Sequence, residues 1–97
     1  MTRLPRTEFR ARGYQSLHTS YFSLKKKQNG RSDVRIGVVV PKGVHKTAVR
    51  RNFWKRQART AVPQRIWRGY DLIIALRPAV NDLTRRQFRD MIAKITP

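Results

Sequence analysis

Apolar and polar residues alternate over residues 34–40, where Ile36, Val38 and Val40 share one face and Arg35, Gly37 and Val39 share the other. That pattern predicts a strand with one face in a core and the other open enough to receive something. A nearly continuous apolar run over residues 70–76 has a strand's length and predicts a central strand covered on both sides, ended by Arg77-Pro78. Tyr21-Phe22-Ser23-Leu24 reads as a further strand running into Lys25-Lys26-Lys27. Residues 28–32 supply the turn back, because Asn29-Gly30 readily takes positive φ.

Two stretches carry a helical signature. Thr47 can cap a helix over residues 48–62 before Pro63 stops it. Thr84 with Gln87 forms a capping-box pattern, after which Phe88, Met91, Ile92 and Ile95 recur at i, i+3, i+4 and i+7, the period of a core-packed helix. A shorter helix of at most about two turns fits residues 4–13, with Pro5 in its first turn and Gly13 closing it. The 97 residues contain no internal repeat and no separating linker, so residues 1–97 are expected to form one domain around one modest core.

Charge changes this picture most. Lys and Arg number 23 against 5 Asp and Glu, a net +18 at pH 7 whose self-repulsion a polyanionic partner would relieve. The pI of 11.9 lies well above the threshold of about 9 that marks nucleic-acid-binding domains. A membrane surface is the other anionic candidate, but neither a lipid-facing amphipathic helix nor a lipidation motif is present. There is no apolar signal segment at the N-terminus, and the longest apolar run, residues 72–76, is far too short to span a bilayer, so a cytoplasmic protein is expected. The chain has no cysteine, which excludes disulfides, thiolate metal sites and a cysteine nucleophile.

The cations are concentrated on the predicted helix over residues 48–62. At 3.6 residues per turn Arg51, Lys55 and Arg59 stack at i, i+4 and i+8 with Asn52 and Arg56 beside them, while Trp54, Ala58 and Ala61 face the other way. Like charges four apart destabilise an isolated helix by about 0.2–0.5 kcal/mol per pair, so the stripe implies an external anion. Solvated helix faces usually mix signs, yet no acid occurs from Val34 to Tyr70. Phosphates are the obvious partner, and structured RNA fits better than duplex DNA, since a strand leading into a long helix matches groove-reading motifs poorly.

Intrinsic catalysis finds little support. Glu8, Asp33, Asp71, Asp82 and Asp90 are scattered, with no spacing that would converge on a two-metal phosphodiester site. His18 and His45 could serve as acid and base, but nothing brings them together, and His45 lies in a basic connection where phosphate or solvent is its expected contact. Asp71 is expected to cap or pair locally.

Arg35-Ile36-Gly37, the basic connection from Lys42 to Lys46, Ala48-Val49-Arg50-Arg51-Asn52 followed by Lys55-Arg56 and Arg59, and Gly69-Tyr70-Asp71 through Ala75-Leu76-Arg77-Pro78 form an ordered set covering residues 21–95. In that set the chain resembles the protein subunit of bacterial ribonuclease P, the ribonucleoprotein that removes the 5′ leader of precursor tRNA. The resemblance implies a two-layer α/β (α+β) sandwich, a small and mostly antiparallel sheet backed by helices, in the order α-β-β-β-α-β-α with a left-handed crossover. It implies that Lys42, Lys46, Arg50, Arg51, Asn52, Lys55, Arg56 and Arg59 bind the RNA subunit. Phe9, Phe22, Gly37, Val39 and Arg77 would line a cleft for the single-stranded leader of precursor tRNA. Chemistry would then belong to the RNA subunit with its bound Mg²⁺, and the protein itself would hold no catalytic residue, metal or cofactor.

The chain departs from the family pattern in three places, one of them the connection before the basic helix, which is one residue longer and leaves the matching of Gly43 to Thr47 open. The Arg-Asn-Arg signature falls on Arg51-Asn52-Phe53, so an aromatic replaces its third member, able to stack on a base or to pack inward. The N-terminus is also shorter than the family's, offering Phe9 and then Tyr14. The competing reading is a structural rRNA-binding, ribosomal-type protein whose basic helix braces folded RNA without any role in cleavage.

Overall fold

In the computed structural model, which describes residues 2–97, five strands form one sheet: β1 (Thr2–Arg3), β2 (Gln15–His18), β3 (Phe22–Gln28), β4 (Arg35–Val39) and β5 (Tyr70–Leu76). Their order across the sheet is β1-β4-β5-β3-β2. β3 runs antiparallel to β2 and to β5, whereas β4 is parallel to β5 and to β1. By paired length the sheet is therefore mostly antiparallel, with β4 as its parallel element. The cause is topological: the long crossover from β4 returns the chain beside it in the same direction, and β1 adds along the outer edge of β4.

Two helices, α1 (Ala48–Ala61) and α2 (Arg85–Ala93), lie on one face of this sheet. Both begin where the sequence places caps. The Thr47 hydroxyl accepts the Arg50 backbone N–H at 3.4 Å, and Thr84 and Gln87 form both halves of the capping box. Trp54, Ala58 and Ala61 on α1 and Phe88 and Ile92 on α2 close over Phe22, Leu24, Ile36, Val38, Leu72, Ile74 and Leu76 of the sheet. Trp54 and Phe22 both meet Phe88 edge-on, with centroids 5.5 and 5.9 Å apart. Trp67, in the loop between α1 and β5, is 1 % exposed and plugs the same core, a role its loop position hides in the sequence.

Strand parity corrects one expectation outright. Phe22 is fully buried on the helix side with Leu24, so it belongs to the core and cannot line a cleft on the opposite face. Ser23, Lys25 and Lys27 of β3 alternate to that open face instead. The N-terminal segment differs too. The helix expected over residues 4–13 is a single 3-10 turn, Arg6–Arg10, which buries no residue and so gains nothing from continuing as an α-helix. Gly13, at φ +94°, turns the chain into β2, which has no apolar period to announce it.

Candidate nucleic-acid interface

The chain reaches α1 through residues 40–47, and packing fixes this connection. Val44 is buried, its carbonyl accepts the Asn81 side-chain amide at 2.6 Å, and Asn81 in turn accepts the Trp54 indole N–H at 3.2 Å. Asn81 thus ties the basic connection to the first turns of α1, a role with no local sequence signal. The Arg51 guanidinium donates to the carbonyls of His45 and Lys46 at 2.8 and 3.0 Å, and the His45 ring accepts the Thr47 backbone N–H through Nδ1 at 3.1 Å. His45 therefore shapes the entry to the helix, while Lys42 and Lys46 stand exposed beside it.

Along α1 the expected cations separate by environment. Asn52 and Arg56 are exposed on the outer face, and Arg51, Lys55 and Arg59 form a half-buried flank. Arg59 is the most confined: its Nε is buried without a hydrogen-bond partner, and burial together with the charge of Arg3 lowers its affinity for the proton. A guanidinium held in that state is short of an acceptor. On the other flank Arg50 stacks over the Phe53 ring at 4.3 Å, and Phe53 packs edge-on against Trp54 at 5.4 Å. Phe53 is thus an inward-packed residue whose remaining surface carries an arginine.

The second surface lies across the sheet. β4 contributes Arg35, Gly37 and Val39 to the open face, β5 contributes Asp71, Ile73 and Ala75, and β3 contributes Ser23, Lys25 and Lys27. The segment from Leu4 to Tyr14 roofs part of it. Gly37 lies directly beneath Phe9, close enough that a Cβ there would stand 2.5 Å from Phe9 Cζ. Beside that contact opens a cleft of about 280 Å³ walled by Phe9, Arg12 and Tyr14, with Ser16, Lys25 and Ile73 on the other side. Val39 and Arg77 are exposed at the end of the same strands, beyond the roof. Of the residues expected in this cleft, the fold assembles Phe9, Gly37, Val39 and Arg77 along one face and removes Phe22. Lys25, Ile73 and Tyr14 were missed, although the parity of β3 around the apolar Phe22 and Leu24 carries the signal for Lys25.

Ion pairs organise the rest of the face. Asp71, fully buried in β5, accepts two bonds from Arg35 at 2.8 and 2.6 Å and one from Asn29 at 2.9 Å. Burial alone would push its carboxyl up. The hydrogen bonds from Arg35 and Asn29, with the charges of Arg35 and Lys27, outweigh this and hold it below the ordinary carboxylate range. Glu8, in the roof, pairs with Lys27 at 3.3 Å and accepts from the Tyr14 hydroxyl at 3.3 Å. Burial, then the negative charges of Asp71 and Glu8, push the Tyr14 phenol up to about 12, so it stays a neutral donor. Asp33 pairs with Arg31 at 2.8 Å and accepts from Thr2 at 2.6 Å. Three of the five acids are thereby engaged in structural pairs, and among the described residues no three His, Cys, Asp or Glu side chains converge as metal ligands.

A sheet with a cationic helix on one side and a lysine-floored, aromatic-roofed cleft on the other defines a basic α+β protein of the RNA-binding class. The family model described as Ribonuclease P matches residues 5–96, and the chain belongs to that family. Among solved structures, a Staphylococcus aureus RNase P protein variant with defective mRNA degradation activity is 26% identical over 82% of this chain and 70% of its own, with a TM-score of 0.74. The Staphylococcus aureus RNase P protein itself is 24% identical, with coverage of 87% and 84% and a TM-score of 0.71. The Thermotoga maritima RNase P protein shares 22% identity over the whole of both chains at a TM-score of 0.69, a likeness that establishes the fold. Comparison with curated protein sequences gives no match. The helices present no span long and apolar enough to cross a membrane among the described residues.

Proposed function

We propose that this protein is the protein subunit of ribonuclease P, that it docks the RNA subunit through α1 and its basic entry, and that it holds the 5′ leader of precursor tRNA in the open-face cleft. Family membership supports a place in the holoenzyme and association with its RNA. The division of labour within the chain rests on one observation: the cationic helix and the cleft occupy opposite faces of a single sheet, so two RNA segments can be held at once.

Lys42, Lys46, Arg50, Arg51, Asn52, Lys55, Arg56 and Arg59 neutralise phosphates of the RNA subunit. Each phosphate neutralised releases condensed counterions, which drives association. In the cleft the Phe9 and Tyr14 rings offer stacking surfaces that tolerate any base, while Lys25 and Arg12 hold the backbone and Arg77 meets it beyond the roof, a combination suited to leaders of variable sequence. The absence of a side chain on Gly37 lets the roof sit low, and Val39 extends the open face beyond it. The protein acts by position: its acids are ion-paired or isolated, and Mg²⁺ enters through the RNA subunit, which carries out the hydrolysis.

The test is addition of the purified chain to a ribonuclease P RNA and a precursor tRNA at low Mg²⁺. Stimulated 5′ cleavage is expected. Tight RNA binding without any stimulation would instead favour the structural, ribosomal-type role.

A further inference from the structure

We infer that the outer face of α2, through Arg85, Arg86 and Arg89, is a second docking surface for the RNA subunit, separate from the α1 flank and from the cleft. The inference rests on the proposed role in ribonuclease P and extends it to an element whose sequence pattern explains only its core side. Phe88 and Ile92 account for the buried stripe of α2, and Thr84 with Gln87 accounts for its start. Neither requires an arginine.

All three arginines are exposed, and they line one side of a groove of about 510 Å³ that runs between α2 and Ala61 at the end of α1. Their placement is locally unfavourable. Arg85 and Arg86 sit in the first turn, where the partial positive charge of the helix end favours acids, and no acid is present there. Arg85 and Arg89 add a like-charge pair at i, i+4. The groove contains one acid, Asp90, yet the ion pairs among the described residues are Lys27–Glu8, Arg31–Asp33 and Arg35–Asp71, none of them on α2. Three guanidiniums are thus gathered against the helix field around a single carboxylate, Asp90, with which none of them is paired. A phosphate backbone supplies one, and planar guanidinium forks match phosphate oxygens in pairs.

The RNA subunit is the source that fits. α2 packs beside α1 on the same layer, so an RNA resting on the exposed Asn52 and Arg56 of α1 can extend onto α2. The leader cleft opens on the opposite face of the sheet and cannot share that strand.

The experiment compares the full-length chain with two triple variants, one carrying Arg85→Gln, Arg86→Gln and Arg89→Gln and the other the corresponding Lys substitutions. Gln and Lys both favour helix, and melting temperatures no lower than that of the unmodified chain verify the fold. Affinity for the ribonuclease P RNA alone is measured across a salt series. Loss of three phosphate contacts should lower the slope of log K against log[salt] by about two to three units in the Gln variant, and the Lys variant should retain it. An unchanged slope in the Gln variant overturns the assignment. So does a change that emerges only when precursor tRNA is added, which would place the contact on the substrate. Failure of the unmodified chain to bind the RNA would sink the proposed function itself, and this surface with it.

Discussion

Replacing Gly37 by Ala perturbs the cleft without altering a charge. Gly37 does not share the positive φ of Gly13, Gly30 and Gly69, so alanine suits the backbone of β4. Its Cβ, however, would lie 2.5 Å from Phe9 Cζ and 2.8 Å from Cε1, against 3.4–4 Å for ordinary contact, and the ring must retreat by about 1 Å. Phe9 is half-buried and its 3-10 turn buries nothing, so the roof shifts while the sheet stays, at the low end of overpacking penalties, about 1 kcal/mol. A stability on the order of 5–15 kcal/mol absorbs that change. Binding is more exposed to it: a displaced ring forfeits one base-stacking contact of about 1–3 kcal/mol, roughly a 5-fold to 160-fold loss. The assay compares, in the presence of the RNA subunit, the affinity for precursor tRNA with that for tRNA lacking a leader. The loss should be confined to the leader-bearing substrate. An equal loss on both, or none on either, would refute the placement of the leader in the cleft beside Phe9, over Lys25 and Ile73.

Phe22→Ala should lower stability by about 3–5 kcal/mol in denaturant titration, as expected for a fully buried aromatic. A stable Phe22 variant defective only in leader binding would return that residue to the cleft. Asp71→Ala leaves the Arg35 guanidinium without its carboxylate and should cost about 3–5 kcal/mol. Because the folded-state pKa of Asp71 is depressed, its contribution is present above the unfolded carboxylate value near 4 and is lost as pH falls below it toward the folded value. The variant's stability should therefore fall less steeply on acidification than the parent's, and parallel acid profiles would contradict this. Lys55→Ala should reduce the salt slope for the RNA subunit by about one unit with little change in melting temperature. Arg51→Ala should reduce both, since Arg51 also holds the carbonyls of His45 and Lys46, and a purely electrostatic effect of Arg51 would show that those bonds are dispensable.

The sequence by itself determined α1, α2, β4 and β5, because caps, periods and apolar runs are local signals. Thr47, the Thr84–Gln87 box and the unbroken run of β5 act over a few residues and need no partner to be read. It also determined the cationic flank of α1, since helical geometry alone aligns Arg51, Lys55 and Arg59. Only the tertiary structure decided what each surface faces. Strand parity sets Lys25 on the face opposite Phe22 and Leu24, but which of the two faces is covered follows from the register of β3 on β5, which places Leu24 against Ile74. That Phe9 roofs Gly37 follows from the pairing of Thr2 with Arg35, a contact between residues more than thirty positions apart. Such pairings are chosen by the burial of a whole face at once, so no stretch of the chain encodes them alone.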